Sequence, residues 1–410
     1  MDDAQFAAFA QWLSDAGLSG QDEATMVTEF CTRLVAGGVP LARGQVFIDT
    51  LHPVIGGRAF YWQAAQGATV ARDYTTPTAE EELARWRRSA FYHMIETGSA
   101  VLRRRLTSES SKEFPFLAEL HAAGMTDYFA VIDRFGRDGI IGEMDGVYSS
   151  WVSDAPQRFS DAQIATVRRL TPWLALAIKS ATLGRIARTL VETYLGRDPG
   201  KRILEGSITR GKSTSLEAVL WFSDLRGYTH ICDRVLPQEI IPFLNDYAET
   251  VISTIYEQGG DVLKLIGDGT LAMFTAEDRS GACKAALTAA RKTMERIGEM
   301  RKRRGASGLP ETDIYLGLHI GEVVYGNFGS HERLDFTVVG PAVNEVNRIA
   351  NMCRLVDQPI LISSDFHAAL GPEQGLVSVG RYALRGVGGA QHLYTLEQPP
   401  NLERKAPVTE

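Results

Sequence analysis

The chain is poor in the features that mark a membrane protein, a disulfide scaffold or a polyanion binder. Cysteine is scarce: Cys31, Cys232, Cys283 and Cys353 are scattered over 410 residues with no CxxC spacing. That pattern suits thiols kept reduced in a cytosol and argues against a cysteine zinc site. Long apolar runs are missing too. The strongest one, WLALAI (173–178), is ended at once by Lys179, far short of the roughly 20 residues a membrane-spanning helix needs. The start, MDDAQFAAFAQWLSDAG, is acidic and amphipathic, with no basic segment ahead of an apolar core, so no signal peptide is expected. Positive charge is not in excess: 43 Lys and Arg face 50 Asp and Glu, a formal charge of −7. A nucleic acid held by bulk electrostatics is therefore not an expected partner. Internal repeats and low-complexity tracts are lacking as well. Together these absences lead us to expect a cytoplasmic protein with no membrane span.

What is present is the composition of a globular protein, 44% hydrophobic and 23% charged. The length exceeds one ordinary core and predicts two domains. Residues 1–182 read as mixed α and β. Helical patterns run over 5–16 and 23–36. GQVFID, DYFAVIDRF and GIIGEMDGVYSSWV read as strands, and 158–195 as one long helix that Pro172 could kink. Residues 183–212 contain a Gly-rich, basic stretch, GRDPGKRILEGSITRGKS, which ends at Ser213 and reads as a linker. From 213 to 397 the pattern becomes strand, helix, hairpin, helix, hairpin, helix, with IYLGLHIGEVVYGNFG as the second hairpin. Helices packed on a largely antiparallel sheet are expected here, an α+β or α/β sandwich. Residues 398–410 form a tail.

Two acids attract attention in this second half. Asp224 closes the apolar strand AVLWFSD, and Asp268 sits in the Gly-Asp-Gly turn of the next hairpin. Either alone is an ordinary turn residue. Strand ends and tight turns at one sheet edge can meet, however, and paired carboxylates there suit Mg²⁺ held jointly by protein and substrate phosphates. Leu225, Arg226, Gly227, Tyr228 and Thr229 follow Asp224, and Gly227 would let backbone N–H groups approach an anion. Metal-binding acid and phosphate-binding amides side by side point to a metal–polyphosphate ligand.

FSDLRGYT (222–229), KLIGDGTLAMF (264–274), GLHIGEVVYGNFGS (317–330) and DFTVVGPAVNEVNRI (335–349) resemble, in order and spacing, the catalytic domain of class III nucleotidyl cyclases. The resemblance covers about 216–396. It implies a ferredoxin-like βαββαβ core, a homodimer with sites at the interface, and two Mg²⁺ (or Mn²⁺) per site. Position by position, it makes Asp224 and Asp268 the metal ligands, Lys264 and Thr337 the base readers, Asn344 the ribose-orienting residue and Arg348 the transition-state cation. Arg385, in ALRGVGG, matches a basic phosphate-binding position, and Arg226 is a second candidate. Many family members carry Arg where this chain has Tyr315. Asn344 and Arg348 are spaced i, i+4 and so share a helix face.

Family guanylate cyclases usually have Glu and Cys at the two base-reading positions. The Lys264–Thr337 pair resembles the adenylate cyclase subgroup with Thr in place of Asp, so ATP is the expected substrate and cyclic AMP and pyrophosphate the products. A guanylate cyclase and a silent nucleotide-binding module are the alternatives. His230 and His319 lie near the motifs but outside the family's key positions. In QGGDVLK, Gly259 and Gly260 read as a helix cap. By its element order the N-terminal half resembles a GAF-like sensory domain, implying an unknown small-molecule or protein regulator.

Overall fold

Alternation of side chains in and out of two separate sheets organises the chain. The structure, a computed structural model, describes residues 1–75, 80–275, 278–371 and 375–397; the tail read at 398–410 lies outside the described residues. Two compact units divide at Leu190 and Val191. Among the described residues no helix is long and apolar enough to cross a membrane.

The first unit contains α1 (Asp3–Ser19), α2 (Glu23–Ala36), β1 (Arg43–Asp49), β2 (Gly57–Gln63), β3 (Ala68–Tyr74), α3 (Glu80–Arg87), α4 (Ala90–Glu96), β4 (Val101–Arg105), α5 (Pro115–Ala122), β5 (Asp127–Arg134), β6 (Gly146–Ser153) and α6 (Asp161–Leu195). Asp2 and Asp22 start the first two helices by accepting backbone N–H groups, with Gln5 completing a capping box at the first. The sheet is antiparallel in the order β3-β2-β1-β6-β5-β4. Phe129 and Val131 of β5 join a core with Phe30, Leu34, Trp151, Leu170 and Ile178. Tyr128, Ala130 and Ile132 point the other way, into a core with Met94, Leu117 and Leu120. Both faces are thus covered, as the continuous apolar run of β5 requires.

One expectation is corrected in this unit. The strand read across 139–152 begins only at Gly146, because Arg137–Gly139 form a 3₁₀ turn and Gly142 takes a left-handed φ of 61°. The long helix expected over 158–195 is α6, which continues through Pro172.

The second unit contains α7 (Arg197–Leu204), β7 (Ser213–Leu225), α8 (Tyr228–Cys232), α9 (Pro237–Glu257), β8 (Asp261–Ile266), β9 (Gly269–Phe274), α10 (Arg279–Ala306), β10 (Ile314–Gly329), β11 (Leu334–Val339), α11 (Pro341–Leu355), β12 (Ile360–Ser363), α12 (Ser364–Leu370), β13 (Leu376–Ala383) and β14 (Ala390–Leu396). Part of the stretch read as linker is therefore helix α7. The sheet order is β13-β14-β12-β10-β7-β9-β8, with β11 paired to β10. Among the described residues, only the β10–β12 pair is parallel. The succession β7-α9-β8-β9-α10-β10 is a βαββαβ core.

Alternation again decides the layers. Ile314, Leu316, Leu318 and Ile320 of β10 join Val219 and Trp221 of β7 in a core with α9 and α10. Val323 and Tyr325 face the opposite way with Ala218, Leu220 and Val346 of α11.

The second hairpin expected at 314–329 is instead one 16-residue strand, antiparallel to β7 along 13 residues. Its glycines are spacers rather than turns. A Cβ at Gly317 would lie 2.7 Å from both Ala350 N and Val346 O, and one at Gly321 would lie 2.8 Å from the Ala342 Cβ. Glycine is needed because the α11 backbone lies directly on the strand. Gly317→Ala should therefore destabilise the second unit by about 2 kcal/mol. A denaturation midpoint shifted by the equivalent of less than about 0.5 kcal/mol would show that α11 lifts away freely.

Candidate active site

Asp224 lies next to the end of β7, paired in register with Tyr315 of β10. Gly267, at φ 63°, and Asp268 form the two-residue turn between the paired Ile266 and Gly269. The β7–β9 pairing carries this turn to the end of β7, where Asp268 Oδ2 accepts the Leu225 N–H at 3.3 Å. A cavity of about 190 Å³ opens onto both acids, and Ile241, Leu244 and Val251 of α9 give it an apolar wall. Burial, then the hydrogen bond and charge of Asp268, push the Asp224 carboxyl up to about 7. Two carboxylates crowded against an apolar wall retain a proton rather than both ionising. This donor set fits a hard divalent cation, which replaces the proton and satisfies both oxygens.

The loop after Asp224 is held from below. The Arg226 N–H donates to Asp313 O at 2.9 Å, and the Thr312 hydroxyl donates to Arg226 O. Tyr247 Oη in turn donates to Thr312 O at 2.5 Å. Gly227, at φ 68°, turns the chain into the short helix α8, where Tyr228 and Thr229 sit. A hydrogen bond with Cys232, then burial, pushes the Tyr228 hydroxyl up to about 12. The Arg226 guanidinium lies 5.6 Å above the Tyr315 ring and 3.6 Å from Asp357.

Lys264 projects from β8 and is ion-paired with Asp335 of β11. Asp335 and Thr337 are two apart on one strand and share a face. The Thr337 hydroxyl is buried and has no hydrogen-bond partner. Asn344 is exposed on the first turns of α11. One turn further on, the Arg348 guanidinium comes close to Gly386: a Cβ there would lie 3.3 Å from both terminal nitrogens. Arg385, next to Gly386, is exposed in the loop between β13 and β14.

The structure thus gathers the sequence-predicted residues into three groups: the acidic pair with its loop, Lys264 with the Thr337 strand, and Arg348 with the Arg385 loop. Among the described residues, no hydrogen bond or ion pair within one chain joins the acidic pair to Lys264, Thr337, Asn344 or Arg348. A larger cavity, about 440 Å³, lies beside Arg197, Arg202 and Asp261 and touches none of these residues. Asp335 was missed by sequence reasoning, although its place two residues before Thr337 was a usable signal. A cluster of His319, Glu345 and Asp365 was also missed, because its members come from separate elements.

With this geometry, residues 212–398 match the family Adenylate and Guanylate cyclase catalytic domain. This part of the chain is similar to adenylate and guanylate cyclase catalytic domains. It is 34% identical over 157 residues to an adenylate cyclase of Anabaena cylindrica, covering 38% of this chain and 31% of the relative. It is 26% identical over 222 residues to adenylate cyclase 1 of Rhizobium meliloti, covering 52% of this chain and 33% of the relative. The chain therefore spans about a third of the length of these curated relatives. A crystal structure of the adenylyl cyclase CyaB from P. aeruginosa aligns with 46% of this chain and 98% of its own at 21% identity, with a TM-score of 0.43.

A proton and a divalent ion would compete for Asp224. Below about 7 the folded chain holds a proton that the unfolded chain releases near 3.8. This group therefore favours folding most at low pH, and that contribution is lost as pH rises toward 7. Metal affinity has the opposite slope. Mn²⁺ binding measured by calorimetry should strengthen by close to tenfold per pH unit below about 7, with release of one proton, and level off above. An affinity independent of pH across that range would contradict the shared-proton geometry.

Proposed function

We propose that the chain is an adenylate cyclase converting ATP to 3′,5′-cyclic AMP and pyrophosphate at two sites shared across a homodimer. The observation that carries ATP over GTP is the buried, unpartnered Thr337 hydroxyl on the strand whose Asp335 holds Lys264. Adenine offers an acceptor at N1 and a donor at its amino group, and guanine reverses both. Lys264 can only donate and suits N1, while the Thr337 oxygen can accept from the amino group. The names of both curated relatives agree with this choice.

Asp224 and Asp268 would hold two Mg²⁺ or Mn²⁺ ions, whose chemistry when bound is to acidify the ribose 3′-hydroxyl and neutralise the polyphosphate. The backbone of Leu225 to Thr229, turned by Gly227, cradles the phosphates. Arg226 places a cation over Tyr315, the position where many family members carry Arg, and Arg385 adds a second near Arg348. Asn344 orients the ribose. In-line attack of the 3′-oxygen on the α-phosphorus closes the ring and expels pyrophosphate, while Arg348 offsets the charge on the pentavalent phosphorus.

The shared site is supported by the lack, among the described residues, of any hydrogen bond or ion pair joining the acidic pair to the other four residues within one chain. All six are present in each copy, so a homodimer completes two equivalent sites. The antiparallel six-stranded sheet of the first unit, covered by helices on both faces, supports the GAF-like reading. Residues 1–182 would bind a small-molecule or protein regulator, 183–212 would transmit the signal, and 213–397 would act in the cytoplasm.

Purified protein with Mn²⁺ or Mg²⁺ should form cyclic AMP at least tenfold faster than cyclic GMP; no cyclic product from either nucleotide would sink the proposal. Arg348→Ala should lower turnover by about 10²-fold or more. Mixing Asp224→Ala with Arg348→Ala protein should restore part of the activity, because one interface of the mixed dimer keeps an intact site. Failure to restore it in confirmed mixed dimers would refute sharing.

A further inference from the structure

His319 of β10, Glu345 of α11 and Asp365 of α12 bring an imidazole and two carboxylates together away from the Asp224–Asp268 pair. Their ligating atoms all lie within 4.8 Å of one another. His319 is buried, its side chain only 4% exposed, and its Nδ1 is engaged with Ser363 Oγ at 2.9 Å. Nε2 is left facing Glu345 Oε2 at 3.9 Å, too far for a hydrogen bond. The other Glu345 oxygen, Oε1, is buried with no hydrogen-bond partner. The Glu345 side chain is 14% exposed, and Asp365 opens to solvent.

Hydrogen bonding alone does not account for this arrangement. If Nδ1 donates to Ser363, the Nε2 lone pair faces two acids. If Nε2 carries the proton, its acceptor is out of reach. A cation satisfies the imidazole nitrogen and both carboxylates together, and the bond from Nδ1 to Ser363 is the outer contact that commonly fixes a metal-bound histidine. Burial lowers His319 to about 4, against an opposing effect of Asp365, so the ring is neutral near pH 7.

We propose that His319, Glu345 and Asp365 form a binding site for a divalent transition-metal ion of the Zn²⁺ class, with water as the remaining ligand. Three protein ligands plus water is a common zinc arrangement, and bonds of about 2.0–2.2 Å place tetrahedral ligand atoms about 3.4 Å apart. Small side-chain rotations close the observed gaps to that spacing. An imidazole among oxygens selects against Mg²⁺, which prefers all-oxygen ligands and retains several waters. The bound ion joins β10, α11 and α12 and reads no nucleotide, so the site is independent of the cyclase reading.

The test uses the full-length protein, stripped with chelator and dialysed against Zn²⁺ in excess Mg²⁺, with bound zinc counted by mass spectrometry. Wild type should retain one Zn²⁺ per chain that survives in Asp224→Asn, which impairs the other acidic site. Glu345→Gln and the solvent-facing Asp365→Asn should each bind Zn²⁺ at least about tenfold more weakly, with circular dichroism confirming the fold. Zn²⁺ should raise the melting temperature of Asp224→Asn protein and leave that of the double variant Asp224→Asn, Asp365→Asn unchanged. No zinc retained by wild type, or undiminished affinity in both Glu345→Gln and Asp365→Asn, overturns the proposal.

Discussion

The antiparallel pairing of β7 with β10 is the constraint on which the catalytic unit depends. It runs from Ser213 opposite Gly326 to Leu225 opposite Ile314. That register puts Asp224 beside Tyr315 and sends alternate residues of both strands to opposite cores. Through β9 it carries Asp268 to the end of β7, and through β11 it sets Thr337 opposite Gly326. A slip of one residue would exchange the faces of both strands and bury the wrong set of side chains. The apolar pattern that makes the core therefore also fixes where the polar residues fall.

Legibility followed the range of the forces involved. Helix α2 could be read to its ends, because Asp22 caps it and its apolar residues recur with helical spacing. The acidic pair was legible because Asp224 and Asp268 each close an apolar strand. The hairpin expected at 314–329 failed on glycine, whose letter does not distinguish a turn from a surface that another backbone must approach. Gly317 is of the second kind, and Gly321 makes room for the Ala342 methyl of the same helix. The strand β12 went unread because it is only four residues long, and β13 and β14 because they are mostly exposed or half-buried and carry no continuous apolar run.

Within the site, long-range partners were the hidden part. The role of Asp335 depends on β8 and β11 arriving side by side, which no local pattern announces. His319, set aside as lying outside the key positions, acquires polar neighbours only when α11 and α12 pack against β10. Arg226 is similar: it sits above Tyr315 because the β7–β10 register brings the two together. Residue types and spacing pointed to the chemistry, while tertiary pairing supplied the contacts.

The glycine contacts between β10 and α11 have a mechanical consequence. With helix backbone against Gly317 and only the Ala342 methyl against Gly321, no long flexible side chain separates strand from helix at these points to absorb displacement. Asn344 and Arg348 are thereby mounted on a stiff bracket, and their reach is set by the position of the whole sheet. In the proposed homodimer, control of such a bracket would work by moving one protomer face against another, as a vice closes, while the helix stays fixed in its own seat.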